Sequence, residues 1–191
     1  MLYKSKLVAA NTVKIILPVF AATSLLLYST PSFAISLSVG VPIGASIKGA
    51  DGSEVADGAS GYFLGVQLPF GLGLGMDSHK TKFKDSTVKV ATSMYNLYYQ
   101  LPVPVVSLIL GLGVGSSNFD CPDQGGGTCA EQHDKGAATQ WYTSIGMPIL
   151  PLFDIHLSYR SITSKKITEK SNKEKSDVSG TVTGIGIAFN F

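Results

Sequence analysis

From Ile35 to the C-terminus, apolar side chains return at every second position, the period of a strand with two unlike faces. Ile35, Leu37, Val39, Val41 and Ile43 open the series, followed by Tyr62, Leu64, Val66 and Leu68, then Leu72, Leu74 and Met76. A fourth ladder runs Ala91, Ser93, Tyr95, Leu97, Tyr99 and Leu101, and a fifth Val106, Leu108, Leu110, Leu112 and Val114. Ala137, Thr139, Trp141, Thr143, Ile145 and Met147 make the sixth; Phe153, Ile155, Leu157 and Tyr159 the seventh; Thr181, Thr183, Ile185, Ile187, Phe189 and Phe191 the eighth. The pattern predicts an all-β chain of eight strands, and no segment carries the helical period.

Alternation alone also fits a secreted β-sandwich with one face on its core. The charges separate the two readings, because within these ladders only Asp77, Lys89, Asp154 and Arg160 are charged. The connections separate them further. Those at 69–71, 102–104 and 148–151 are short, Pro-marked and uncharged, whereas those over about 44–60, 78–88, 116–136 and 162–178 are long and polar. Strict alternation of short and long connections is the habit of an up-and-down antiparallel transmembrane barrel, with short turns in the periplasm and long loops outside. Aromatic rings fall at ladder ends: Phe70, Tyr99, Phe153, Phe189 and Phe191 toward the short turns, and Tyr62, Trp141 and Tyr159 toward the long loops.

In this architecture the chain resembles the small eight-stranded outer-membrane barrels of the OmpA and OmpX type. The last strand, Gly184 to Phe191, is similar to the C-terminal signal read by the barrel-assembly machinery, with Phe189 and Phe191 as its aromatic positions. The resemblance implies a porin-like component of a Gram-negative cell envelope, located in the outer membrane. Outer-membrane lipids, lipopolysaccharide and the assembly machinery are then its expected partners.

The first 34 residues differ from the rest. Lys4, Lys6 and Lys14 precede an apolar run from Ile15 to Leu27, and Ser32-Phe33-Ala34 supplies a small-residue end, which together make a secretory signal peptide (1–34) before a barrel (35–191). Pro18, Thr23 and Ser24 interrupt the run, against an anchoring helix of about 20 apolar residues. Cleavage after Ala34 removes three Lys and no acid, lowering the formal charge of +2 to −1. Nucleic acid therefore has no basic surface to bind. Cys121 and Cys129 flank a Gly-rich segment, and export to an oxidising compartment makes a local disulfide the expectation. A zinc site adding His133 is the alternative, and it lacks a fourth ligand.

Eight strands enclose a space that side chains just fill. By parity Asp77, Asn96, Tyr98, Gln140, Tyr142, Asp154, His156, Ser158 and Arg160 point inward, and glycines on the third, fifth and eighth strands leave them room. The runs Gly71 to Gly75 and Gly111 to Gly115 lack the following helix and Lys of a phosphate loop. Asp154, His156 and Ser158 share one face and invite a hydrolase or acyltransferase reading, but their face is opposite the lipid-facing ladder, and no oxyanion donor is evident. The expectation is a non-enzymatic polar network of these three with Arg160, and no cofactor. Lys80, Lys82 and Lys84, with the Lys run at 165–175, suggest a basic outer rim. A structural or surface-interaction barrel leads; a narrow passive channel and a lipid-modifying enzyme are the alternatives, and the surface ligand is unspecified.

Overall fold

The computed structural model describes residues 35–47, 56–84, 86–103, 105–121, 134–150, 152–164, 167–168, 175–176 and 178–191. Eight long strands build the barrel: β1 (Ser36–Ile47), β2 (Ala56–Gln67), β3 (Leu72–Phe83), β4 (Lys89–Leu101), β5 (Ser107–Asp120), β6 (Gly136–Leu150), β7 (Phe153–Ser164) and β10 (Gly180–Asn190). Between β7 and β10 sits a small hairpin, β8 (Ile167–Thr168) against β9 (Lys175–Ser176). Every barrel strand runs antiparallel to its neighbours, and the order β1-β10-β7-β6-β5-β4-β3-β2 closes on itself. Closure pairs the two edges that an open sheet would leave exposed, a condition for crossing lipid with strands. Among the described residues, no helix is long and apolar enough to cross a membrane.

The seams differ. β4 pairs with β5 along its whole length, from Lys89↔Asp120 to Leu101↔Leu108. β1 pairs with β2 only from Ser36↔Gln67 to Gly40↔Phe63. Pro42 has no N–H to offer a ladder, and a register shift against β10 follows between Pro42 and Gly44. The start of β1 and the C-terminal residue lie beside the short turns, where Phe191 N–H donates to Ile35 O at 2.9 Å.

The expected outward ladders are exposed, including Leu74, Leu97, Leu112, Ile145 and Leu157. They form an apolar belt with rings at both edges: Phe153 and Phe189 touch edge to face at 4.9 Å near the short turns, and Trp141 lies 5.9 Å from Tyr159 at the other edge. Tyr95, absent from the expected outer group, joins that edge with 68 % exposure.

The long connections are shorter than the hydropathy pattern implies. β2 begins at Ala56, β3 runs to Phe83, β5 to Asp120 and β7 to Ser164, each several residues into a segment read as loop. Asp57, Lys80, Lys82 and Asp120 therefore stand on strands, adding to the four charges expected there. The cause is the change of solvent: above the belt the outward positions are Ser78, Lys80, Ser93, Ser116, Asn118, Thr139 and Ser161, and once the outer face turns polar the alternation loses its contrast. Strands of 12 to 15 residues, with β10 at 11, also reach or exceed the upper end of the roughly 9–11 that a tilted membrane strand needs. Lys80 is paired with Asp120 at 2.6 Å and Lys82 with Asp57 at 3.5 Å, so two of the lysines expected in a basic rim carry their own counter-ions.

Candidate functional site: a polar lumen closed by Arg160

β7 turns Asp154, His156, Ser158 and Arg160 inward by its two-residue period, and all four are buried. The structure divides them between two groups. Halfway along the barrel, Arg160 Nε donates to Asp77 Oδ2 at 3.0 Å, while its Nη1 donates to Ser158 Oγ. Gln140 Nε2 donates to the same Asp77 oxygen at 2.7 Å and also to Asn96 Oδ1. The guanidinium lies over the Phe63 ring, 3.6 Å from its centroid, and 4.8 Å from that of Tyr142. One cation, one anion, two amides and two rings thus span the lumen as a single layer. Asp77, at 1 % exposure, is tolerable there because a guanidinium and an amide satisfy its carboxylate.

Glycine positions these large groups. A Cβ on Gly111 would run into the Tyr142 ring, one on Gly73 into Tyr98, and one on Gly184 into Phe63. Each partner sits on an adjacent or nearby strand, so a large inward residue on one strand occupies the space left by a glycine on another. This holds for the third, fifth and eighth ladders as expected, and also for Gly146 of β6, which lies under His156.

The second group lies between this layer and the short turns. Ser107 Oγ donates to Asp154 Oδ2 at 3.0 Å, and Gln100 Nε2 donates to Ser107 Oγ at 3.3 Å. His156 Nδ1 is 3.4 Å from Ser144 Oγ, and its Nε2 is 3.9 Å from Asp154 Oδ2 with no hydrogen-bond partner. Gln100, Ser144, Asp154 and His156 line a cavity of about 70 Å³ reaching Ser36, Gln67 and Asn190. That volume holds several waters, since one needs roughly 10–15 Å³ by the same measure.

The single network expected from sequence is therefore two. Ser158 Oγ accepts from Arg160 and donates to the Gly184 carbonyl at 3.3 Å, so it makes no hydrogen bond with His156. The hydroxyl within hydrogen-bond reach of the imidazole is Ser144, which no local pattern singles out: it stands on another strand, and only the β6–β7 register, with Ser144 opposite Ser158, brings it near.

Beyond Arg160 the lumen turns mostly apolar, with Thr81 and a Thr92–Ser117 hydroxyl pair buried among the hydrocarbon. Phe63, Met94, Ala138, Ile162 and Val182 pack together with Ala45, and a further cluster of Ile47, Val90, Ile167 and Val178 with Ala56, Phe83 and Phe119 covers the long-loop end. His79 is buried among them, edge-on to Phe63 at 6.1 Å, with Nδ1 unpartnered beside a cavity of about 10 Å³. Sequence reading missed His79 because β3 was ended too early; carrying its parity past Asp77 finds it. Cys121 is disulfide-bonded at the end of β5, while Cys129 lies outside the described residues, as do His133 and the signal segment 1–34. Among the described residues, no group of three or more His, Cys, Asp or Glu is arranged to hold a metal.

A closed eight-stranded barrel, apolar outside and filled inside, is the fold of the small outer-membrane β-barrels. No protein-family description and no curated protein matches the sequence. Among solved structures, the chain is similar to Neisserial surface protein A, at 14% identity and a TM-score of 0.63, covering 83% of this chain and 96% of that one. It is similar also to the outer membrane protein OprG of Pseudomonas aeruginosa, at 15% identity and 0.52, over 86% and 98% of the two chains. Outer membrane protein AlkL matches at 11% identity and 0.52, over 83% and 90%. The likeness is one of fold.

Proposed function

We propose that the chain is exported through a cleaved signal peptide at 1–34 and resides in the outer membrane of a Gram-negative cell as a closed, non-enzymatic barrel with a structural or surface-interaction role. Its long connections then face outward and its short turns the periplasm. The observation that carries the reading is the filled lumen: the Arg160 layer and two apolar clusters lie in series across it, which favours a scaffold presenting loops over a conduit. Purified protein in planar bilayers should show no steady conductance, and its gel mobility should change on heating as a folded barrel's does. A reproducible single-channel step would replace this reading with the passive-channel one.

The same reading gives Phe189 and Phe191 to the assembly machinery. Phe189 packs on Phe153 and Phe191 is 73 % exposed, so deleting Phe191 should lower barrel yield while leaving export intact. Lipopolysaccharide is the expected neighbour of the outer rim, through Lys84 and Lys89, which are exposed. The non-enzymatic assignment is supported by Ser158 facing Arg160 and by the whole His156 group lying inside the wall, away from acyl chains. Product masses after incubation with phospholipid and lipopolysaccharide test it, and turnover lost in His156→Ala would overturn it.

A further inference from the structure

The two ends of the barrel treat water differently, and the short-turn end does so against the usual chemistry of turns. The segments Leu68-Pro69-Phe70-Gly71-Leu72, Leu101-Pro102-Val103-Pro104-Val105-Val106 and Met147-Pro148-Ile149-Leu150-Pro151-Leu152 contain no charged residue and no Asn, Asp or Ser. Two of them place a bulky side chain in the left-handed backbone region: Phe70 at φ 74 and Val105 at φ 75. They are the described non-glycine residues with positive φ, and both side chains point outward, at 72 % and 66 % exposure. Glycine or Asn fits that region without the crowding a β-branched or aromatic residue suffers. A turn facing water gains nothing from Phe or Val there.

We infer that the short-turn rim is seated in the phospholipid leaflet, with Phe70, Val105 and Leu152 as its immersed tips. The occupant follows from continuity, because these side chains extend the same exposed apolar surface as Leu72, Tyr99 and Met147 of the belt, without an intervening polar collar. At the opposite end such a collar is present, in Ser78, Lys80, Ser93, Ser116 and Thr139. Burial of the tips in lipid offsets the strained backbone that displays them. The mouth of the 70 Å³ cavity then opens among headgroups and not into bulk periplasm. This inference rests on the barrel residing in a bilayer, and its test keeps the two apart.

The full exported protein is refolded into phosphatidylcholine vesicles, with lipid brominated either near the glycerol end of the acyl chain or near its methyl end. Native Trp141, at the far edge of the belt, reports insertion itself: its quenching confirms the barrel is in the bilayer, and its absence removes that reading. In a Trp141→Phe background, Phe70→Trp and Val105→Trp should emit at blue-shifted wavelengths and be quenched several-fold more by the shallow bromines than by the deep ones. Water-like emission without quenching at both positions, while Trp141 is quenched in the parent, overturns the immersed rim and leaves the membrane assignment standing. Phe70→Asn and Val105→Asn supply a second reading by sign. They suit the left-handed backbone, so a rim in water should gain urea resistance, and that gain also overturns the inference; a lowered midpoint supports it.

Discussion

The two halves of the lumen, divided at Arg160, are built from the same strands and filled differently. Toward the short turns the inward residues are Gln67, Gln100, Ser107, Ser144, Asp154 and His156, loosely bonded around space for water. Toward the long loops they are chiefly Phe63, Met94, Ile162 and Val182, then Ile47, Val90, Ile167 and Val178, with Thr81, Thr92 and Ser117 among them, packed without comparable space. The contrast shows that closure is not spread along the barrel. It is achieved by one charged layer with apolar packing above it, and the polar half below carries little of the load. An inward histidine shows the same division: His156 faces a cavity with room for several waters beside a carboxylate, and His79 is enclosed by hydrocarbon and hydroxyls.

The largest effect that would break this division is loss of the dividing cation. Arg160→Ala leaves Asp77 buried without its guanidinium and removes the plate between Phe63 and Tyr142, and should cost about 3–5 kcal/mol in urea unfolding from vesicles. Replacing both charges, Asp77→Leu with Arg160→Met, should recover most of that, because the uncompensated carboxylate is gone. A double variant as unstable as the single one would show that the rings, and not the charge pair, carry the layer.

Next in size is the apolar half. Ile167, buried at 1 % within the outer cluster, should cost about 2–3 kcal/mol when changed to Ala if the cluster cannot collapse around the gap. Conductance should stay absent in this variant, since the Arg160 layer is untouched. An open channel on losing Ile167 alone would move the seal from the middle to the mouth.

Gly111→Ala tests how the layer is held. Its new methyl group runs into Tyr142, with an expected loss of about 1–3 kcal/mol from overpacking. In a Tyr142→Ala background the same substitution should cost far less, and an unchanged penalty would mean that the glycine serves the backbone and not the ring.

The smallest effects belong to the polar half and the rim. His156→Ala removes one long contact to Ser144 and exposes little that water in the cavity cannot satisfy, so it should cost about 1 kcal/mol or less. Lys80→Ala loses an ion pair whose side chains are 53% and 38% exposed, and should cost less than about 1 kcal/mol, with the difference shrinking in high salt. A loss of several kcal/mol at His156 would contradict the picture of a loosely filled lower half.

The belt was legible because an apolar outer face and a polar inner one give a strand its strongest contrast, and all eight barrel strands were found through it. The upper strand ends were not, because Ser78, Lys80 and Asn118 face water and carry no such contrast. Inward parity likewise put Asp77, Tyr142, Asp154 and Arg160 on the right face. Their partners escaped, since His156 meets Ser144 through the register of the preceding strand and Arg160 meets Asp77 across a strand distant in the chain.

What the sequence determined alone is thus the alternation, the number of barrel strands and the inward face of each, all properties set within a few consecutive residues. The tertiary structure decided which inward groups meet: the shear of a closed barrel fixes how far each strand slides along the next. One residue's slip would exchange lumen for lipid along a whole strand, and a two-residue slip would keep the faces while giving Arg160 a different counter-ion. Local pattern forbids the first and is blind to the second, so Asp77 against Arg160 is known only when the circle of strands is complete.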